Sequence, residues 1–231
     1  MENNILLQYM ESRIKSPESD FRPGPFVTIS RDYGCPAKEI AALLSQELNK
    51  KHAPSANERK WQWIGKEILQ EAAKELNLQP EKLNYIFDAG KRSAIDEVLQ
   101  SLSAKYYQSD AKIRKTISAV VKTIAEKGNI VIVGRGGVAL TQDIPRGIHI
   151  KLNAPFSWRL ENVMLRQNLA HMEAVEKIAS IDEKREALIA SFSKTRHRSV
   201  SFDLTFNCET FNSEQIVNLI IQAMLYHKQI V

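Results

Sequence analysis

The chain has 231 residues, 43% hydrophobic and 26% charged, the balance of a soluble globular domain of ordinary size or one with a small inserted subdomain. No apolar run approaches the roughly 20 residues of a membrane span, the first ten residues lack the basic stretch of a signal peptide, and two cysteines are too few for a disulfide framework or a cysteine metal cluster, so the expected setting is a reducing cytoplasm with no membrane partner. The formal charge of +5, with a pI near 9.1, favours anionic partners without choosing among nucleotides, nucleic acid and acidic surfaces.

In chain order, residues 1 to about 14 read as a short amphipathic helix, and SPESDFRPGP (16–25) breaks it with three prolines and a glycine, a linker into a domain that begins at Phe26. FVTIS (26–30) is a short β-rich apolar run, the pattern of a buried strand. From 38 to about 50, Ile40, Leu43, Leu44 and Leu48 fall at the spacing of one buried helix face. A polar loop follows, then WQWI as a second short strand and GKEILQEAAKELNL as a helix. Residues 80 to about 127 are mostly helical and polar, with Gly128 placed to end the last helix. NIVIVGRGG is a buried strand ending in a glycine turn, and GIHIKLNAP another, closed by Pro155. Two helical blocks rich in Arg, Lys and Glu come next, then the strand FDLTFNC and a last helix N-capped by Asn212.

Short apolar strands alternating with helices predict an α/β fold: a mostly parallel sheet covered on both faces. Ligands of such sheets bind beyond the carboxyl ends of the strands. That rule selects three segments, 30–38, 134–137 and 153–159.

TISRDYGCPAKEIAALL (28–44) has the strand–turn–helix layout of a phosphate loop, but against G-x-x-x-x-G-K-[ST] only Lys38 is kept. Asp32 and Ala37 stand at the glycine positions, Glu39 at the hydroxyl position, and Pro36 removes an N–H donor. The residues alone leave two readings, a phosphate site or a turn with an exposed lysine. Arg135 lies between glycines at the end of a buried strand, where a guanidinium fork can grip a phosphate bidentately; the alternative is a solvated arginine in a β–α turn. Asp182 and Arg185, three apart on a helix, are either an orienting pair for phosphate contact or an ordinary surface ion pair.

The loop resembles the divergent phosphate loop of the cytidylate kinase-like family, I-S-R-E-Y-G-S-G-G-R-E-I-A, in Ser30, Arg31, Tyr33, Gly34, Glu39, Ile40 and Ala41, with Lys38 at the usual arginine. It departs at Asp32, Cys35, Pro36 and Ala37. IVIVGRGG resembles the family's G-R-G turn, whose arginine holds the acceptor phosphate, so the resemblance assigns Arg135 and Gly136 to the acceptor. NAPFSWRLENVMLRQ resembles the strand and turn entering the family's lid; Arg159 matches the first lid arginine and Asn162 stands at the second, with Arg166 two turns beyond Arg159. Asp182 and Arg185 match the lid's D-x-x-R spacing. FDLTFNCE resembles the closing Y-D-L-x-I-N-T strand, which puts Asp203 near the acceptor's sugar, or at a turn cap. WQWIGKEI is similar to Y-Y-D-K-E-I-I with Gly65 for the aspartate; Trp61 and Trp63 suit the core better than base stacking, and Lys91 and Arg92 are further acceptor-phosphate candidates.

The resemblance spans about 26–225 and implies a three-layer P-loop kinase with a five-stranded sheet, a helical acceptor-binding insert near 58–115 and a lid near 155–200. The implied activity is transfer of the γ-phosphoryl group of Mg²⁺·ATP to a nucleoside monophosphate, CMP or a related pyrimidine nucleotide. Lys38, Arg159, Asp182 and Arg185 would be catalytic. Ser30, Arg31, Tyr33, Gly34, Cys35, Ala37, Lys38 and Glu39 would bind the ATP phosphates. Mg²⁺ would come with ATP, with no residue assigned as its ligand. Two alternatives stay open: a nucleotide-binding protein impaired in turnover, and, ranked last, a nucleic-acid-associated module suggested by the pI and KTRHRS (194–199).

Overall fold

The computed structural model describes residues 24–51, 60–66, 110–193 and 200–226. Five strands form one sheet in the order β2-β3-β1-β4-β5: β1 (Phe26–Arg31), β2 (Gln62–Ile64), β3 (Ile130–Val133), β4 (Gly147–Asn153) and β5 (Leu204–Asn207). All four pairings are parallel, with β1 in the centre and its Thr28 opposite both Ile132 and His149. The helices are α1 (Ala37–Lys51), α2 (Asp110–Lys127), α3 (Gly137–Thr141), α4 (Phe156–Gln167), α5 (His171–Ser193) and α6 (Ser213–Tyr226).

Strand alternation sorts the core into two layers. Val27, Ile29, Val131, Val133, Ile148, Ile150 and Leu152 pack with Ile40, Leu44 and Leu48 of α1 and Ile216, Val217 and Ile220 of α6. Phe26, Ile130 and Ile132 face the other way, onto Ile117, Val121 and Ile124 of α2, Leu140 of α3, and Leu188 and Phe192 of α5. This second face carries a polar line along β1 and β4. Buried Thr28 is 2.8 Å from His149 Nδ1, and Ser30 and Lys151 follow in register toward the strand ends. Because both faces are covered, the strands are apolar almost throughout, as the sequence predicts for a parallel sheet.

Local signals act where expected. Asn212 caps α6 in a reciprocal box: its Oδ1 accepts from Gln215 N at 2.9 Å, and its own N–H donates to Gln215 Oε1 at 3.0 Å. Gly128, at φ +71°, ends α2 and sits against Gly24, where a Cβ on Gly128 would lie 2.3 Å from Gly24 Cα. The adjoining Asn129 N–H donates to Pro25 O at 2.6 Å, tying the entry of β1 to that of β3. Trp61 is core, its backbone held on both sides by the Asn49 side chain. Trp63 instead is 36% exposed, because β2 is an edge strand. The expected N-terminal helix, most of the 58–115 insert including Lys91 and Arg92, and the basic segment 194–199 lie outside the described residues.

Candidate active site

The carboxyl ends of β1 and β3 open into a cleft. Ser30, Arg31 and Asp32 line it from β1 and the following loop, Gly134, Arg135 and Gly136 from the turn after β3, Lys151 from β4, and Asp182, Arg185 and Glu186 from α5. The turn has an unusual backbone. Gly134, Arg135 and Gly136 all adopt left-handed conformations, at φ +73°, +57° and +69°, and Gly137 N–H closes it onto Gly134 O at 2.9 Å. For Arg135 this conformation costs roughly 1–2 kcal/mol. Neighbouring side chains occupy the space that each flanking glycine leaves open. A Cβ at Gly134 would stand 1.9 Å from Arg31 Nη1, and one at Gly136 2.7 Å from the Phe192 ring.

Three guanidinium groups therefore converge on the cleft. Burial first, then repulsion from Arg185 and Arg135, pushes Arg31 down to about 9 against the pull of Asp182, so it remains a cation at neutral pH. Burial likewise lowers Arg185, opposed by Asp182. Confined cations that burden one another in this way would gain from a dianion placed between them. Lys151 is paired with Asp32 at 2.5 Å on the cleft wall.

Behind the cleft, α4 and α5 are fastened to the loop after β1. Asp182 Oδ1 accepts from Tyr33 N at 2.7 Å, and its Oδ2 from Arg159 Nη1 at 2.5 Å. Arg159 also donates to Tyr33 O at 3.1 Å and to Ala154 O through Nε. Arg185 donates to Arg31 O at 3.2 Å, lies 3.7 Å from Asp182 and covers the Tyr33 ring at 5.3 Å. Gly34, at φ +101°, passes so close to Arg159 that a Cβ there would meet its backbone O at 3.1 Å.

Three of the loop's own donors are engaged within the fold. Tyr33 N–H is held by Asp182, Cys35 N–H by Asp32 O at 3.3 Å and Ala37 N–H by Cys35 O at 2.9 Å, and Pro36 has none. In this conformation the loop does not present these N–H groups to an anion.

Of the residues singled out in the sequence, Ser30, Arg31, Arg135, Gly136, Asp182 and Arg185 come together at the cleft. Arg159, Tyr33 and Gly34 form the layer that fastens the helices to the loop, and Cys35 and Ala37 turn into the core. Lys38 and Glu39 are exposed in the first turn of α1, outside the cleft lining. Asp203 is not brought to the cleft either: it lies at the opposite end of β5, where its Oδ2 accepts from His149 N at 2.7 Å and its N–H donates to His149 O. Asn162 bonds Trp158 O within α4, and Arg166 is exposed. Sequence reasoning passed over Lys151 and Asp32 as cleft groups. The signal for Lys151 was present: with Ile148, Ile150 and Leu152 committed to one face, it falls on the other, beside Ser30.

The family model for the cytidylate kinase-like family matches residues 26–210. Among solved structures, an uncharacterised protein from Eubacterium ventriosum is similar at a TM-score of 0.59 and 17% identity, over 87% of this chain and 97% of that one, a likeness in fold. Shikimate kinase from Acinetobacter baumannii aligns at a TM-score of 0.48 and 14% identity, over 92% of this chain and 99% of its own. A curated relative, a uronate isomerase of Corynebacterium glutamicum, is 29% identical over 111 residues, which are 48% of this chain but 21% of that protein. Among the described residues no helix is long and apolar enough to cross a membrane. The family match runs from the central strand through the last of the parallel five-stranded sheet, and the chain belongs to the cytidylate kinase-like family.

Proposed function

We propose that the chain is a phosphotransferase that moves the γ-phosphoryl group of Mg²⁺·ATP onto a nucleoside monophosphate, CMP or a related pyrimidine nucleotide. The observation that carries this reading is the convergence of Arg31, Arg135 and Arg185 at the carboxyl ends of β1 and β3. Arg135, on its rigid left-handed turn, holds the acceptor phosphate. Arg185 and Arg31 neutralise charge on the transferring group, with Asp182 keeping Arg159 and Arg185 aimed. Catalysis then consists of positioning and electrostatics, without a covalent intermediate. Lys38, in the first turn of α1 directly after the loop, reaches the β/γ-phosphates once the loop turns its N–H groups outward. Ser30 and Asp32 are hard oxygen donors beside that position.

A second reading is favoured by the inward-turned loop and the exposed Lys38: a family member that binds nucleotide with turnover impaired. A coupled ADP-release assay against CMP, dCMP, UMP, AMP and GMP separates the two. Turnover on one acceptor, reduced about 100-fold or more in Lys38→Ala, supports the kinase. ATP affinity without transfer to any acceptor supports the impaired binder, and folded protein with neither rejects both.

A further inference from the structure

Lys151 and Asp32 line the cleft on the β4 side of β1. Ile148, Ile150 and Leu152 are committed to the opposite face of β4, so Lys151 stands in register beside Ser30. Its ammonium is bound to Asp32 Oδ1 at 2.5 Å, and the two side chains are 26% and 24% exposed. Asp32, the first residue after β1, is also fixed through its backbone: its N–H donates to Leu152 O at 3.0 Å, and its O accepts from Cys35 N–H at 3.3 Å. The ion pair therefore ties the loop after β1 to β4. On the other side of β1 the cations differ. Arg135 follows β3, and the Arg31 guanidinium fills the space beside Gly134 in the same turn.

The cleft lining holds four basic side chains, Arg31, Arg135, Lys151 and Arg185, against three carboxylates, Asp32, Asp182 and Glu186, which leaves it net positive. Asp182 is committed to Tyr33 N–H and Arg159, so Asp32 is the carboxylate that holds Lys151. Lys38 is exposed outside the lining, and the lysine already within the cleft is Lys151. A partly exposed ion pair contributes little to stability, and the flexible stem of a lysine lets its ammonium change partners. A phosphate group carries more charge than a carboxylate and accepts from several cations at once.

We propose that Lys151 binds the donor phosphates of ATP, and that Asp32 is a resident counterion from which the entering phosphate takes it. The exchange breaks the tie between the loop and β4, so phosphate entry and loop opening are one event. This inference rests on the nucleotide reading above and deepens it: donor and acceptor phosphates have separate cations, Lys151 on the β4 side of β1 and Arg135 on the β3 side.

The test is calorimetric titration of full-length wild type, Lys151→Met and Asp32→Asn with ATP, CMP and cytidine, in EDTA so that no Mg²⁺ joins Asp32 to a phosphate. Lys151→Met, with Lys151→Gln as a second variant should the first misfold, is expected to weaken ATP about tenfold, the loss of one charge-assisted hydrogen bond, and CMP less than about threefold. Asp32→Asn is expected to act in the opposite direction and strengthen ATP about threefold, because the ammonium no longer has to leave a carboxylate. ATP affinity unchanged or weakened in Asp32→Asn overturns the counterion role. Unchanged ATP affinity in Lys151→Met, or equal losses for ATP and CMP, overturns the assignment of Lys151 to the donor. A wild type that prefers CMP to cytidine but binds no ATP overturns the inference and leaves the acceptor site standing. Equal affinity for CMP and cytidine counts against the phosphate reading of the cleft itself, and the inference falls with it.

Discussion

At the scale of single residues, the cleft depends on what a glycine leaves vacant. Arg31 occupies the space in which Gly134 would carry a Cβ, so Gly134→Ala must displace that guanidinium and also place an alanine at φ +73°. The displaced group is a flexible side-chain tip, so the expected stability loss is modest, about 1–2 kcal/mol, while affinity for CMP measured by calorimetry falls about tenfold or more. His149 makes a prediction of a different kind. Burial lowers it, against the pull of Asp203, so the native state disfavours its protonated form. The unfolded chain, with histidine near 6.5, then binds more protons than the native one below that pH, and stability drops as pH falls from there toward the lowered native value. Urea midpoints of the wild type should decline over that window more steeply than those of His149→Asn. Legibility at this scale was uneven. Arg135 could be found because glycines and a strand end marked it. Arg31 and Lys151 gain their meaning from neighbours on other strands, which no local pattern states.

Between elements, the connection to test is the one joining α5 to the loop after β1. Asp182 takes the Tyr33 N–H on one oxygen and Arg159 on the other, with both charged side chains largely buried. Asp182→Asn leaves Arg159 without its charged partner and is expected to lower unfolding free energy by about 1–3 kcal/mol in urea titrations. The sequence suggested that Asp182 orients Arg185. In the fold the closer partner is Arg159, from the preceding helix, and the i,i+3 contact is the longer at 3.7 Å. Helix spacing reveals i,i+3 neighbours but not which side chain a second helix delivers to the same carboxylate. Element boundaries were clearer: α6 starts after Asn212 and α2 ends at Gly128, because capping and left-handed glycine chemistry are local. At the second of these, Gly128→Ala would drive a Cβ into the Gly24 backbone, at a cost of about 2 kcal/mol or more.

For the molecule as a whole, the parallel order β2-β3-β1-β4-β5 follows from short apolar strands separated by helices, and it carries β1 to the centre, so the loop after it and the turn after β3 share one edge. That much of the site was legible, since the strand-end rule alone selected 30–38 and 134–137. The inward turn of the loop's N–H groups was not, because it depends on Asp182 arriving from a helix remote in sequence. The claim at the centre of this account is that the arginines of the cleft hold a phosphate group. Calorimetric titration with CMP and with cytidine, on the wild type and Arg135→Ala, tests it most directly. The account predicts that CMP binds the wild type about tenfold or more tightly than cytidine, and that Arg135→Ala abolishes most of this preference. Equal affinity for CMP and cytidine, or an unchanged preference in Arg135→Ala, would contradict it.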